Sequence, residues 1–270
     1  MLLWCGAISC SSNPDVRQPP LDQSPQFDAK EQRLVARLRE AHSGVIVQAM
    51  DSAPNADGRA DNDRGGVSVH FSCAEAVHFS DEAVVALRDL NDERPILSMR
   101  LTSALLLDDD LRLLLTDLGE LRKLEIDCPQ VTDAGLQVVE NLTDLEELRL
   151  SGSLVTDVGL ISLAKLPRLR ILWLVETRVA GRGFSHLHGL EELDEIHLSN
   201  SPIDDEGLKQ LASSPSITTV IANGTKVTDA GMRHLIGMPR LRFLSVESTE
   251  VTDAGAVELL NSKGEIQILY

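Results

Sequence analysis

Aromatic side chains are scarce in this sequence: one tyrosine, two tryptophans and five phenylalanines among 270 residues, 3% in all. Hydrophobic residues nonetheless make up 43%, so a core has to be assembled from recurring Leu, Val and Ile. No run reaches the ~18–20 apolar residues of a membrane-spanning helix, and no such span is expected. Basic residues are also short, 25 Lys and Arg against 42 Asp and Glu, a formal net charge of −17. Phosphate backbones reward clustered Lys and Arg. The balance therefore argues against nucleic acid and for a protein partner with a basic or mixed apolar surface. The four cysteines, Cys5, Cys10, Cys73 and Cys128, show neither zinc-ligand spacing nor the pattern of a disulfide framework.

Catalytic signatures are missing too. There is no nucleophile elbow, no phosphate-cradling glycine loop and no carboxylate pair isolated in an apolar setting. The many acids are spread over a repeating surface, which is not how acid–base pairs are tuned. The expectation is a chain that is not an enzyme and holds no cofactor. No metal site is expected either. His186, His188 and His197 lie close in sequence with Glu191 and Glu192, but zinc needs ligands that converge on one point. The register derived below puts the first two histidines on one side of the protein and His197 on the other. The loop 57–66, "DGRADNDRGG", has its glycine displaced for a calcium loop, and Ser72 stands where a bidentate Glu would be needed.

The first ten residues, "MLLWCGAISC", are apolar, and a polar, proline-rich stretch, "SSNPDVRQPPLDQSP", follows. This reads as the end of a bacterial lipoprotein signal, with small residues Ala7 and Ser9, Cys10 as the acylated residue, and a tether after it. A basic leading segment is missing and the apolar core is short. Two localisations stay open: export with a lipid anchor at Cys10, or a cytoplasmic chain with a plain N terminus.

Self-similarity then dominates. "VTDAGL" at Val131 returns as "VTDVGL" at Val155, "VAGRGF" at Val179, "IDDEGL" at Ile203, "VTDAGM" at Val227 and "VTDAGA" at Val251, each a step of 24 residues. Degenerate copies stand at Leu106 ("LLDDDL") and Phe79 ("FSDEAV"). Ahead of each copy runs L-x-x-L-x-L-x-x-S/T-x-V, as in "LEELRLSGSLV" from Leu145 and "LRILWLVETRV" from Leu169. The L-x-L alternation has period 2 and predicts a short strand with one buried face. Thr-Asp after the turn offers a side-chain oxygen to cap a helix. Residues such as Leu136, Val139 and Leu142 then form one apolar stripe, and the glycine recurring from Gly135 to Gly255 implies a backbone too close-packed for a Cβ.

One strand and one short helix cannot bury an apolar face alone, but stacked copies can. Strands sit ~4.8 Å apart and helices need ~8–10 Å, so the stack bends with the sheet inside. These motifs resemble the leucine-rich repeat family, in its bacterial 24-residue V-T-D-x-G-L type, related to the cysteine-containing, ribonuclease-inhibitor-like group. The resemblance implies an α/β fold, a right-handed solenoid with a concave parallel sheet and convex short helices. It also implies a protein-binding role. The family's Asn or Cys after the strand is replaced here by Ser153, Thr177, Ser201, Thr225 and Thr249, or by Pro129, so the loop ladder is expected to be built from hydroxyls.

The expected organisation is a signal-like segment and tether over 1–27, a cap of one helix and a hairpin over 28–78, and a solenoid of seven to eight repeats over 79–270. In each strand the leucines point inward to the core and the residues between them face the concavity. One concave row therefore holds Arg100, Glu125, Arg149, Trp173, His197, Ile221 and Ser245. Trp173 sits between Ile171 and Val175, with Glu147, Glu195 and Phe243 on adjacent rows, a composition suited to a binding hot spot. Arg149, Ile171, Trp173, Val175, Glu195, His197 and Phe243 are the candidate partner-binding residues. Two other readings stay open: a small molecule or glycan, with a saccharide stacking on the Trp173 ring, and a structural cell-envelope lipoprotein.

Overall fold

The computed structural model describes residues 26–42, 44–50, 65–73 and 79–270. Cys5, Cys10 and most of the loop 57–66 lie outside those residues. Ten strands run in chain order through one sheet. They are β1 (Val45–Ala49), β2 (Val67–Cys73), β3 (Ile96–Ser103), β4 (Lys123–Asp127), β5 (Glu147–Ser151), β6 (Ile171–Val175), β7 (Glu195–His197), β8 (Thr219–Ile221), β9 (Phe243–Ser245) and β10 (Gln267–Leu269). β1 and β2 pair antiparallel as a hairpin, and every later neighbour pair is parallel. From β4 onward each residue pairs with the one 24 positions along, as in Lys123, Glu147 and Ile171. The alternating strand pattern puts Leu148, Leu150, Leu172 and Leu174 wholly in the core.

The helices are α1 (Ala29–Ala41), α2 (Asp81–Glu93), α3 (Asp108–Leu115), α4 (Asp133–Leu136), α5 (Leu160–Leu163), α6 (Asp205–Leu211), α7 (Asp229–Leu235) and α8 (Asp253–Lys263). α1 begins at a reciprocal cap between Asp28 and Glu31 and buries Leu34, Val35 and Leu38. Behind it His42 stacks on Phe79 at 4.8 Å and meets Phe71 edge-on. The repeat helices are not uniform. α4 passes into a 3-10 turn over Gln137–Asn141, and the Trp173 repeat has only a 3-10 helix, Arg182–Leu187, opened by Gly181 at φ +93°. A stripe at every third residue fits three residues per turn as well as an α-helix. Leu136, Val139 and Leu142 are buried on that basis.

Between repeats the main fastener is the aspartate of the T-D pair. Thr132, Thr228 and Thr252 cap their own helices, accepting from the N–H two residues on. The aspartate beside each points forward instead. Asp133 accepts from the backbone N–H of Thr156 at 2.7 Å and from its hydroxyl at 2.7 Å. Asp108 does the same for Thr132, Asp205 for Thr228 and Asp229 for Thr252. Asp108 at the head of α3 therefore serves the next repeat as well as its own helix dipole.

The same carboxylate explains the recurring glycine. A Cβ on Gly135 would lie 2.3 Å from Asp108 Oδ1, and one on Gly231 2.4 Å from Asp205 Oδ1, both inside van der Waals contact. Where threonine is lost, Asp157 instead takes three backbone donors, from Ala180, Gly181 and Gly183. Gly181 then occupies the aspartate position, so this rung is missing on the way to the next repeat.

The hydroxyls do not form the continuous ladder expected of them. Thr225 and Thr249 donate to carbonyls three residues back in their own turns, and the buried Ser153 Oγ meets no partner among the described residues. Only Thr177 and Ser201 bridge two repeats. Their oxygens are 3.1 Å apart, the Thr177 N–H donates to Ser201 Oγ, and Ser201 donates to the Leu174 carbonyl at 2.7 Å. A backbone corner just before these positions recurs in the left-handed region at Gly152, Glu176, Asn200, Gly224 and Ser248. Only glycine occupies that region without steric cost.

Two outcomes follow for stability in urea unfolding. Asp133→Ala should lose about 1–3 kcal/mol, since two half-buried donors of Thr156 lose their charged acceptor. Asp253→Ala, at the same motif position but with no carboxylate hydrogen bond to a following repeat among the described residues, should change stability by less than about 0.5 kcal/mol. Equal losses would remove the inter-repeat bond as the cause. Glu176→Gly should raise stability by about 0.5–1 kcal/mol, the relief of a left-handed glutamate less the entropy glycine adds to the unfolded chain.

Candidate functional site

Parallel pairing without register shift puts residues of one row side by side on adjacent strands, ~4.8 Å apart. That is close to the distance at which flat groups stack. Arg149, Trp173 and His197 are such a row on β5, β6 and β7. The Arg149 guanidinium carbon lies 3.7 Å from the indole centroid. The His197 ring lies 4.2 Å away on the other side, 23° from coplanar. Trp173 thus stands upright between a cation and an imidazole, half-buried, with its edge toward the concavity. Its Nε1 is shielded from solvent and meets no acceptor among the described residues.

Carboxylates hold both neighbours. Glu147, on the row beside the stack, takes the Arg149 guanidinium and the Lys123 ammonium, the latter at 3.0 Å. Glu195 Oε1 lies 2.5 Å from His197 Nε2. Burial pushes the His197 pKa below the ordinary imidazole value of 6.5; the Glu195 hydrogen bond and charge oppose that shift, and the Arg149 charge adds to it. Near neutral pH the ring is therefore uncharged and donates Nε2–H to Glu195. Further along, Arg100 clamps one oxygen of Glu125 at 2.5 and 2.8 Å.

Ile171 and Val175 flank Trp173 at i±2 on the same face, both half-buried. Phe243 is on that face too but not in the patch: it lies on β9, with β7 and β8 between it and β6. The stack brings Arg149, Ile171, Trp173, Val175, Glu195 and His197 together and leaves Phe243 about three strand spacings away. His186 lies in the last turn of the convex 3-10 helix and His188 follows that helix, its Nε2 3.0 Å from the Gln210 carbonyl. Neither converges with His197. Among the described residues no group of three or more His, Cys, Asp or Glu could hold a metal ion. Cys128 is buried, with its thiol toward the Leu101 carbonyl.

Two features escape the sequence. Lys123 belongs to the charged part of the site through Glu147, its neighbour in the same row, while the Arg149 contact with Glu147 runs between rows, which spacing does not reveal. The Arg100 row also continues into His70 and Ile46 of the hairpin. The step from His70 to Arg100 is 30 residues, outside the 24-residue period, so no repeat count could have found it.

Toward β10 the face loses its charge. Of the concave side chains on β6 to β10, including Ile221, Ser245 and Leu269, only Glu195 is ionic, and it is engaged by His197. No helix among the described residues is long and apolar enough to cross a membrane.

Residues 141–164, one repeat length, match the family described as Leucine Rich repeat. A comparison with curated proteins found no match. Among solved structures the chain is similar to internalin C2 from Listeria monocytogenes str. 4b F2365, with a TM-score of 0.55 at 21% identity over 74% of this chain and 79% of that one. An internalin (InlF) from the same organism gives a TM-score of 0.51 at 19% identity over 75% of this chain and 59% of that one. At such identities the likeness shows the fold, a leucine-rich repeat solenoid.

The three histidines with lowered pKa values set a pH window for stability. His42 and His70 are shifted down chiefly by burial, as His197 is. Each binds a proton more weakly folded than unfolded, so unfolding takes up protons as pH falls through about 6.5. Stability should therefore decline from pH 7.5 to pH 5.5, above the range where the shifted carboxylates Asp28, Asp204, Glu206 and Asp229 contribute. In urea titrations at the two pH values, His197→Gln should show a smaller decline. An unchanged decline would remove His197 from the account.

Proposed function

We propose that this leucine-rich repeat protein is a non-catalytic recognition module that binds another protein with its concave face, centred on Trp173. The observation that carries the reading is the preformed indole. Arg149 and His197 brace Trp173 from both sides, so little side-chain freedom is left to lose on binding. From its own strand to β10 the concave side chains are almost uncharged, in a chain whose net charge is −17. Large rigid aromatics with Arg beside them are the usual energetic centres of protein interfaces.

The geometry does not favour a saccharide stacked on the ring, because both ring faces are occupied by the protein's own side chains. A partner meets the indole edge, Ile171 and Val175, and reaches Ile221 and Phe243 only if it extends across the next three strands. The acidic exterior favours a partner whose rim is basic. A lipid anchor at Cys10 would add a membrane location to the same module.

The test uses the full chain to capture and then titrate a partner. Trp173→Ala should weaken the interaction at least about 30-fold, the size expected of a 2 kcal/mol hot spot. Ile161→Ala, exposed on convex α5, should leave it unchanged. Equal binding by wild type and Trp173→Ala would end the reading.

A further inference from the structure

A depression at the other end of the concave face has a different chemistry. Two rows of four side chains cross β1 to β4 there: Gln48, Ser68, Ser98 and Lys123 in one, and Ile46, His70, Arg100 and Glu125 in the other. The two central positions of the first row are serines, whose side chains end one atom beyond Cβ. Gln48 and Lys123 close the ends of that row, and the longer side chains of the second row stand along one flank. Side-chain length alone therefore leaves a hollow, and its volume is about 270 Å³.

Unspent hydrogen-bond donors line that hollow. Ser68, Ser98 and Gln48 make no side-chain hydrogen bond within the described residues. Arg100 commits Nε and Nη2 to a single oxygen of Glu125, which leaves Nη1. Lys123 contacts Glu147 at 3.0 Å and can still donate elsewhere. Burial first and the Arg100 charge second lower the His70 pKa; its Nε2 lies 3.4 Å from Thr102 Oγ1, which leaves Nδ1 of the neutral ring. Glu125 is the sole acid in the lining, and its nearer oxygen is already taken. Distant carboxylates of this acidic chain are screened within ~8 Å at physiological salt, so the local potential is set by Arg100, Lys123 and Arg149 against Glu125 and Glu147, a surplus of one positive charge.

We propose that this hollow is a binding subsite for an oxyanion group, a carboxylate or a phosphate, held by Arg100 and Lys123 at the rim and by the Ser68 and Ser98 hydroxyls at the floor. Arg presents a planar fork suited to such groups and Lys a point charge. The subsite shares the concave face with Trp173 and meets its charged surround only at Lys123, which contacts Glu147; it needs neither the indole nor its neighbours Arg149 and His197, so it stands or falls independently of the recognition reading.

The experiment is an NMR titration of the ¹⁵N-labelled full chain with sodium acetate and, separately, with inorganic phosphate, each against sodium chloride at equal ionic strength. Saturable shifts at Ser68, His70, Ser98 and Arg100 are expected with one or both oxyanions, and the stronger response tells a carboxylate site from a phosphate site. Lys123→Gln should weaken the apparent affinity about tenfold. Ser98→Leu, which fills the hollow, should abolish the response. Its urea midpoint and Trp173 emission, recorded with Trp4→Phe, show that the fold is kept. Shifts equal to those from chloride, or unchanged in folded Ser98→Leu, would overturn the proposal. Trp173→Ala should leave the titration as it is in wild type, which separates its failure from that of the concave-face reading.

Discussion

A carboxylate that reaches one repeat ahead is the constraint on which this stack rests. Strand pairing alone could be satisfied by many neighbours, because parallel hydrogen bonds carry no side-chain identity. The Asp133 pair of bonds to the Thr156 amide and hydroxyl does carry one. It fixes the distance between successive turns and their rotation, and it demands a glycine where the carboxylate meets the next helix. Valine, threonine, aspartate and glycine of the signature are thus parts of one joint: valine in the core, threonine capping and donating, aspartate accepting, glycine making room.

The joint after the Trp173 repeat is the exception. Gly181 stands where the aspartate would be, and the convex segment is a 3-10 helix. At that same joint, and at no other among the described residues, two hydroxyls bridge the repeats through Thr177 and Ser201. Arg182 and Asp204 add an ion pair at 2.9 Å on the outside. One fastener has been exchanged for another beside the proposed contact patch. The pairing of β6 with β7, which brings His197 against the indole, is preserved across the exchange.

Much of this was legible in the sequence, because a period of 24 residues with L-x-L strands fixes both the stacking and the face of each side chain. The row from Arg100 to Ser245 follows from counting alone, and Trp173 falls on the concave side by the same count. What lay beyond counting is anything decided between rows or outside the period. The forward reach of aspartate is one example: spacing shows that Asp and Gly recur, not which repeat the carboxylate serves. The separation of Phe243 from Trp173 is another, since adjacency of rows does not imply adjacency of strands. The covered faces of the indole depend on the rotamers of Arg149 and His197. The hollow over Ser68 and Ser98 depends on a hairpin whose offset from the first repeats no periodicity encodes.

Each forward-pointing aspartate also gives the stack a direction in time. A repeat's carboxylate is satisfied only by the amide and hydroxyl of the repeat that follows it, so no turn is locked until about 24 further residues exist. On a ribosome adding roughly 5–20 residues per second, that is a delay of about 1–5 s per repeat. The capped end is made first, but α1 too waits for later chain, since it pairs with α2 through Lys30–Glu93 and Arg37–Asp89. The solenoid is then laid down like courses of brick in the order of synthesis, each course setting only when the next is placed on it.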